Sequence, residues 1–113
     1  MEFGSIVLTR FPFTDLSGDK MRPALLVSQN NDRRADLVLA LITSNLHGGR
    51  FADSLPIQPS ASNGLKVASL VRFDKLATLE KHVIVGKLGD AGDDFLRAAK
   101  PVFFGVFGFA AAI

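Results

Sequence analysis

The residues Val71, Arg72, Phe73 and Asp74 set a guanidinium and a carboxylate two positions apart inside an apolar run. On an extended strand the side-chain period is two, so Arg72 and Asp74 share one face while Val71 and Phe73 point to the other. The two charges then stand about 6.5 to 7 Å apart along the strand, a span that brackets a phosphodiester. Cleaving an RNA backbone without metal needs a base for the ribose 2'-hydroxyl, a donor for the departing 5'-oxygen and cations around the phosphorus. Arg72 and Asp74 have the side-chain types for that work. As a plain solvated ion pair they would instead contribute under about 1 kcal/mol of stability.

Two further stretches offer polar groups at strand ends. In "GDKMRPALLVS", residues 18 to 28, Pro23 biases Arg22 toward extended geometry, which projects the guanidinium fork from a fixed backbone point suited to bidentate phosphate binding. The alternative is an arginine whose aliphatic stem covers the strand rim. In "ITSN", residues 42 to 45, an apolar run ends in Thr43, Ser44 and Asn45, two hydroxyls and an amide suited to phosphate or base-edge hydrogen bonds. The same residues are also ordinary turn formers.

The elements that must position these groups are short. At 113 residues the chain reads as one domain spanning 1–113, large enough for a real core. Its 48% hydrophobic and 21% charged residues are those of a globular protein rather than a disordered one. Thirteen basic against eleven acidic residues give a net charge of only +2, so any nucleic-acid binding must rest on local clustering. The absence of cysteine excludes disulfides, zinc knuckles and thiol chemistry, and with Glu2 where a signal peptide needs cations it points to the cytoplasm. Residues 102–113, "VFFGVFGFAAAI", fall well short of the roughly 20 apolar residues that span a bilayer. They are expected to form a buried tail, and no membrane partner is expected.

Strands are expected at residues 5–11, 23–28, 36–43, 54–59, 67–76 and 83–88, with the second and third so apolar that both faces should be covered. The polar turn "QNNDRRA" joins those two as a hairpin, and the prolines of "SLPIQP" confine the fourth to an edge. The stretch "DAGDDFLRAAK", residues 90 to 100, reads as a helix capped by Asp90 or Asp93, with Pro101 ending or kinking it. A small, strongly bent barrel or a pair of packed sheets follows. His47 and His82, 35 positions apart without cysteine partners, read as surface residues rather than metal ligands. Ten phenylalanines with no tyrosine or tryptophan supply apolar bulk for a core.

Taken in order, "GSIVLTRFPFTDLSGDKMRPALLVS", "LALITSN" and "SLVRFDKLATLEK" resemble the PemK/MazF family of toxins from bacterial type II toxin–antitoxin pairs, over about the first three quarters of the chain. The resemblance implies a mainly β fold, an SH3-like curved barrel of CcdB/PemK-like architecture with a C-terminal helix. It also implies a homodimer that cuts single-stranded RNA without metal or other cofactor, leaving a 2',3'-cyclic phosphate and a 5'-hydroxyl, and that is inhibited by a cognate antitoxin. Carried over residue by residue, it assigns Arg22 and Thr43 as the catalytic pair, Arg72 and Asp74 to proton transfer, and Ser44 and Ser69 to the RNA path. Lys20, Lys75 and Arg50 would supply further positive charge there, beside Asn45. The alternative is a non-catalytic module on the same barrel, either a poison of a protein target such as a topoisomerase, as CcdB toxins are, or an inactive RNA binder.

Overall fold

The computed structural model describes residues 1–10, 21–47 and 51–109. Lys20, Arg50, most of the first loop and the last four tail residues lie outside the described residues, as does the Phe51 side chain. Among the described residues the chain forms β1 (Ser5–Arg10), β2 (Met21–Leu26), β3 (Asp36–Thr43), β4 (Ser54–Ile57), β5 (Ser69–Glu80), β6 (Gly86–Asp90) and a helix α1 (Asp93–Val106). The strands make one antiparallel sheet in the order β4-β5-β3-β2-β1-β6, curled into a half-barrel with α1 as its C-terminal element.

The curl has a local cause. Ala40 on β3 pairs with Leu76, but the next residue, Leu41, pairs with Arg72, so Phe73, Asp74 and Lys75 face no residue of β3. Extra residues on one strand of an antiparallel pair bend that strand and re-aim its side chains. This bulge lets a single long β5 pair with the whole of β3 and also with β4. A smaller register shift between Ile6 and Val7 bends the other edge, where β1 meets β6.

Alternation along the strands divides the core into two layers. Ile6, Leu25, Ala40, Ile42, Val71 and Phe73 point to one face, where Phe95, Ala99, Val102, Phe103 and Val106 of α1 cover them. Val7, Ala24, Leu26, Leu37, Leu39, Leu41 and Ala77 point to the other and pack with Leu79 and Ile84. Both faces of β2 and β3 are thus covered, and the two strands pair as the expected hairpin. Phe73 is 1% exposed and meets the Phe103 ring edge-on at 6.1 Å, so it belongs to the core and is not a base-stacking surface.

Several expectations are corrected. The helix does not end at Pro101 but runs through it to Val106. Proline removes one hydrogen bond there, and the burial of Val102, Phe103 and Val106 against the sheet holds the following turn in place. The N-cap is Gly92 at φ 90° rather than an aspartate, and Asp93 and Asp94 occupy the first turn, where they still complement the dipole. The phenylalanine-rich tail is not buried throughout, since Phe107 is 50% and Phe109 69% exposed. The last strand begins at Gly86, because Lys81–Val83 forms a 3-10 turn, and β5 runs on to Glu80. Among the described residues no helix is long and apolar enough to cross a membrane.

Candidate active site

Arg22 is the second residue of β2 and pairs with Thr9 on β1, while Pro23 pairs with Leu8. Thr9 is fully buried and its hydroxyl is committed as a donor to the Val83 carbonyl at 3.3 Å. Arg22 itself is half-buried, and its Nε is shut away from solvent with no hydrogen-bond partner among the described residues. An unsatisfied buried donor costs about 1–3 kcal/mol, so the position is poised to accept an anion or an acceptor oxygen.

Thr43 closes β3 and pairs with Leu70. Its Oγ1 accepts the Asn45 N–H at 3.1 Å, and Asn45 Oδ1 accepts the His47 N–H at 3.1 Å, so both polar side chains shape the turn in which Ser44 is exposed. On β5, Arg72 and Asp74 do not stand about 6.5 to 7 Å apart around a phosphodiester but close on one another in a bidentate pair, because their side chains lean together on the shared face: Nε donates to Oδ1 at 3.2 Å and Nη2 to Oδ2 at 2.9 Å. Their side chains are 15% and 22% exposed, which shields the pair without removing it from water. Phe73 between them is turned into the core, as the period of two requires.

The ladders bring three of these groups to one face. Leu41 pairs with Ala24 on one side and with Arg72 on the other. Two residues further along, Arg22 on β2 comes level with Thr43 on β3, and alternation keeps Arg22, Thr43, Arg72 and Asp74 on the same side of three adjacent strands. Neighbouring strands lie about 4.8 Å apart, so Arg22 and Arg72 are on the order of 10 Å apart across the sheet, with Thr43 on the strand between. Lys75 is half-buried within the β5 bulge.

Ser44 and Ser69 have the opposite parity and turn toward the other face, where they line a cavity of about 330 Å³ together with Arg22, Lys66, Val67 and Leu88. Thr43, Asn45, Arg72, Asp74 and Lys75 do not line it. The guanidinium-bearing end of β2 therefore stands between two groups of polar residues rather than in one continuous cluster. Lys66 and Leu88 escaped the sequence reading. The Asn63-Gly64 turn marked a reversal there, but no local signal shows that this loop lies against β6. His47 and His82 stand apart, His82 beside Glu80 at 3.1 Å, and among the described residues no three histidine or acidic side chains gather as a metal site.

A curled antiparallel sheet closed by one C-terminal helix is the fold this chain shares with a class of small toxins. A family model described as PemK-like, MazF-like toxin of type II toxin–antitoxin system matches residues 2–102, and the chain belongs to that family. Solved structures agree in fold. The Mycobacterium tuberculosis toxin MazF-mt6 is similar at a TM-score of 0.76 and 21% identity, over 93% of this chain and 97% of its own. A mycobacterial endoribonuclease in complex with its cognate antitoxin is similar at 0.76 and 22%, over 96% and 95%. MazF in a MazE-MazF structure from Deinococcus radiodurans is similar at 0.74 and 21%, over 97% and 98%. No curated protein matches the chain at the level of sequence.

Proposed function

We propose that the chain is a sequence-selective endoribonuclease that cuts single-stranded RNA without a metal ion, as a single-domain toxin acting in the cytoplasm. The observation that carries this reading is the placement of Arg22, Thr43 and the Arg72–Asp74 pair on one face of three neighbouring strands, with the buried Arg22 Nε unpartnered among the described residues. A phosphate on that face would take hydrogen bonds from the Arg22 guanidinium and from Thr43, while Arg72 turns from Asp74 toward the charge that builds on phosphorus. Asp74, released from its pair, accepts the proton of the ribose 2'-hydroxyl. The O2'–P bond forms as the P–O5' bond breaks, and the proton lost at O2' is matched by one gained at O5' through the carboxyl or a water. The products are a 2',3'-cyclic phosphate and a 5'-hydroxyl. Asn45, Lys75 and Lys20 are assigned to holding the strand on either side, and Ser44 and Ser69 to the part of it that passes the strand ends into the cavity beside Arg22.

Two relatives of the same fold are solved with antitoxins, which supports a cognate antitoxin for this chain and, with the family membership, a homodimeric toxin. Incubating the purified protein with single-stranded RNA in EDTA tests the activity, and cyclic-phosphate and 5'-hydroxyl ends are the expected products. Intact RNA, together with undiminished growth of cells expressing the protein, would overturn it. One observation favours a binding-only toxin instead: both Asp74 oxygens are occupied by Arg72 in the resting site. That reading predicts that RNA is retained but never cut.

A further inference from the structure

The cavity shared by Arg22, Ser44 and Ser69 has an opposite wall that the cleavage chemistry does not use. That wall is the loop between β4 and β5, and it is built to be rigid. Asn63, 4% exposed, accepts the N–H groups of Ser60 and Leu65 on its Oδ1 at 3.0 and 2.9 Å, and donates from Nδ2 to the Gln58 carbonyl at 2.8 Å. The Asp90 N–H donates to the Ser62 carbonyl at 2.9 Å, which fastens the loop to the end of β6. Gly64, at φ 73°, lies so close to the Leu88 carbonyl that a Cβ there would overlap it, and Gly89 is pressed in the same way against Ser62 and Asn63. The loop thus presents Leu65, Lys66 and Val67 to Ser44 and Ser69 across a gap of fixed width.

The chemistry of the lining is selective. Leu65, Val67 and Leu88 make flat aliphatic walls. Lys66 is exposed at the rim and makes no hydrogen bond or ion pair with a described residue, and an ammonium group can only donate. The Ser69 hydroxyl donates to the Val67 carbonyl at 3.0 Å, which leaves only its lone pairs to offer. Lys66 and Ser69 line the same cavity, and a donor and an acceptor turned to one base edge complement a carbonyl next to an imino N–H. That is the edge of uracil and guanine, and the reverse of the edge of cytosine and adenine, which shows an amino group beside a bare ring nitrogen. At about 330 Å³ the space sits at the small end of ordinary ligand pockets and suits one nucleotide unit rather than a run of them.

We propose that this cavity receives one base of the RNA next to the scissile phosphate, and that Lys66 with Ser69 selects a keto base, uracil or guanine, over an amino base. The proposal rests on the nuclease reading for its substrate, but its test does not pass through cleavage. Hexamers of 2'-O-methyl uridine and 2'-O-methyl cytidine differ in the edge in question, and both lack the hydroxyl that would attack phosphorus. The wild-type protein is expected to bind the uridine hexamer about tenfold more tightly, as a hydrogen bond from a charged group contributes on that order. In Lys66→Met, which keeps the aliphatic stem, the ratio should fall below about threefold, since the discriminating hydrogen bond is gone. Equal affinities in the wild type, binding of neither hexamer, or a ratio unchanged in Lys66→Met would each overturn the proposal. Unmodified RNA left uncut by a protein that still prefers uridine would overturn the nuclease reading alone.

Discussion

Two cavities of similar size lie against the same face of the sheet, and their chemistry differs. The one beneath α1 holds about 420 Å³ between Leu25, Phe73, Leu96 and Phe103, with Arg97 and Lys100 at its edge. Both of those cations already have neighbours, Arg97 the Asp94 carboxylate at 3.0 Å and Lys100 the Phe104 ring at 5.9 Å. The one at the ends of β2, β3 and β5 is smaller, about 330 Å³, yet it holds two serines and is bordered by Arg22, whose buried Nε has no partner among the described residues. Volume alone would favour the first as the working site. The second is favoured by an unmet electrostatic demand, since a buried donor without an acceptor is stable only if something outside the chain completes it or the rest of the fold offsets its cost.

That contrast can be broken or sharpened by substitution. The largest effect belongs to the helix side. Phe73→Ala removes a fully buried ring from the contact with Phe103, and urea unfolding should show a loss of about 3–5 kcal/mol. A loss below about 1 kcal/mol would mean that this cavity is not a packing feature of the core. Next comes Arg22→Ala, expected to lower the rate of RNA cleavage by at least about a hundredfold, as loss of a charge-stabilising donor does elsewhere. Its unfolding midpoint should stay the same or rise, because an unsatisfied buried donor is removed. An unchanged rate would take Arg22 out of the mechanism. The smallest effect is expected for Arg97→Ala, whose side chain is 75% exposed: neither cleavage nor the unfolding midpoint should move measurably. If cleavage fell instead, the anion-binding role would have to move to the helix side.

Much of the site was legible because its cause is local. The period of two in residues 71–74 gives a same-face Arg72–Asp74 pair whatever the strand packs against, and the structure shows that pair as a bidentate contact. The Arg22-Pro23 step marked the approach to a strand for an equally local reason, although β2 begins at Met21 and ends at Leu26 rather than spanning 23–28, and Thr43 closed an apolar run that read as a covered strand. The helix boundary was misread for the opposite reason. Proline is a strong local signal for termination, but burial of the residues after Pro101 overrides it.

By itself, then, the sequence determined which residues could act and which of them must share a strand face, because alternation and the proline effect are carried by the nearest few bonds. Only the tertiary structure decided that Arg22, Thr43 and Arg72 come together from three strands far apart in the chain. It also decided that the loop bearing Lys66 is fastened to β6 opposite Ser69. Both depend on the order β4-β5-β3-β2-β1-β6 and on the bulge at Phe73 to Lys75, which are fixed by long-range pairing and packing and leave no period in the sequence to read.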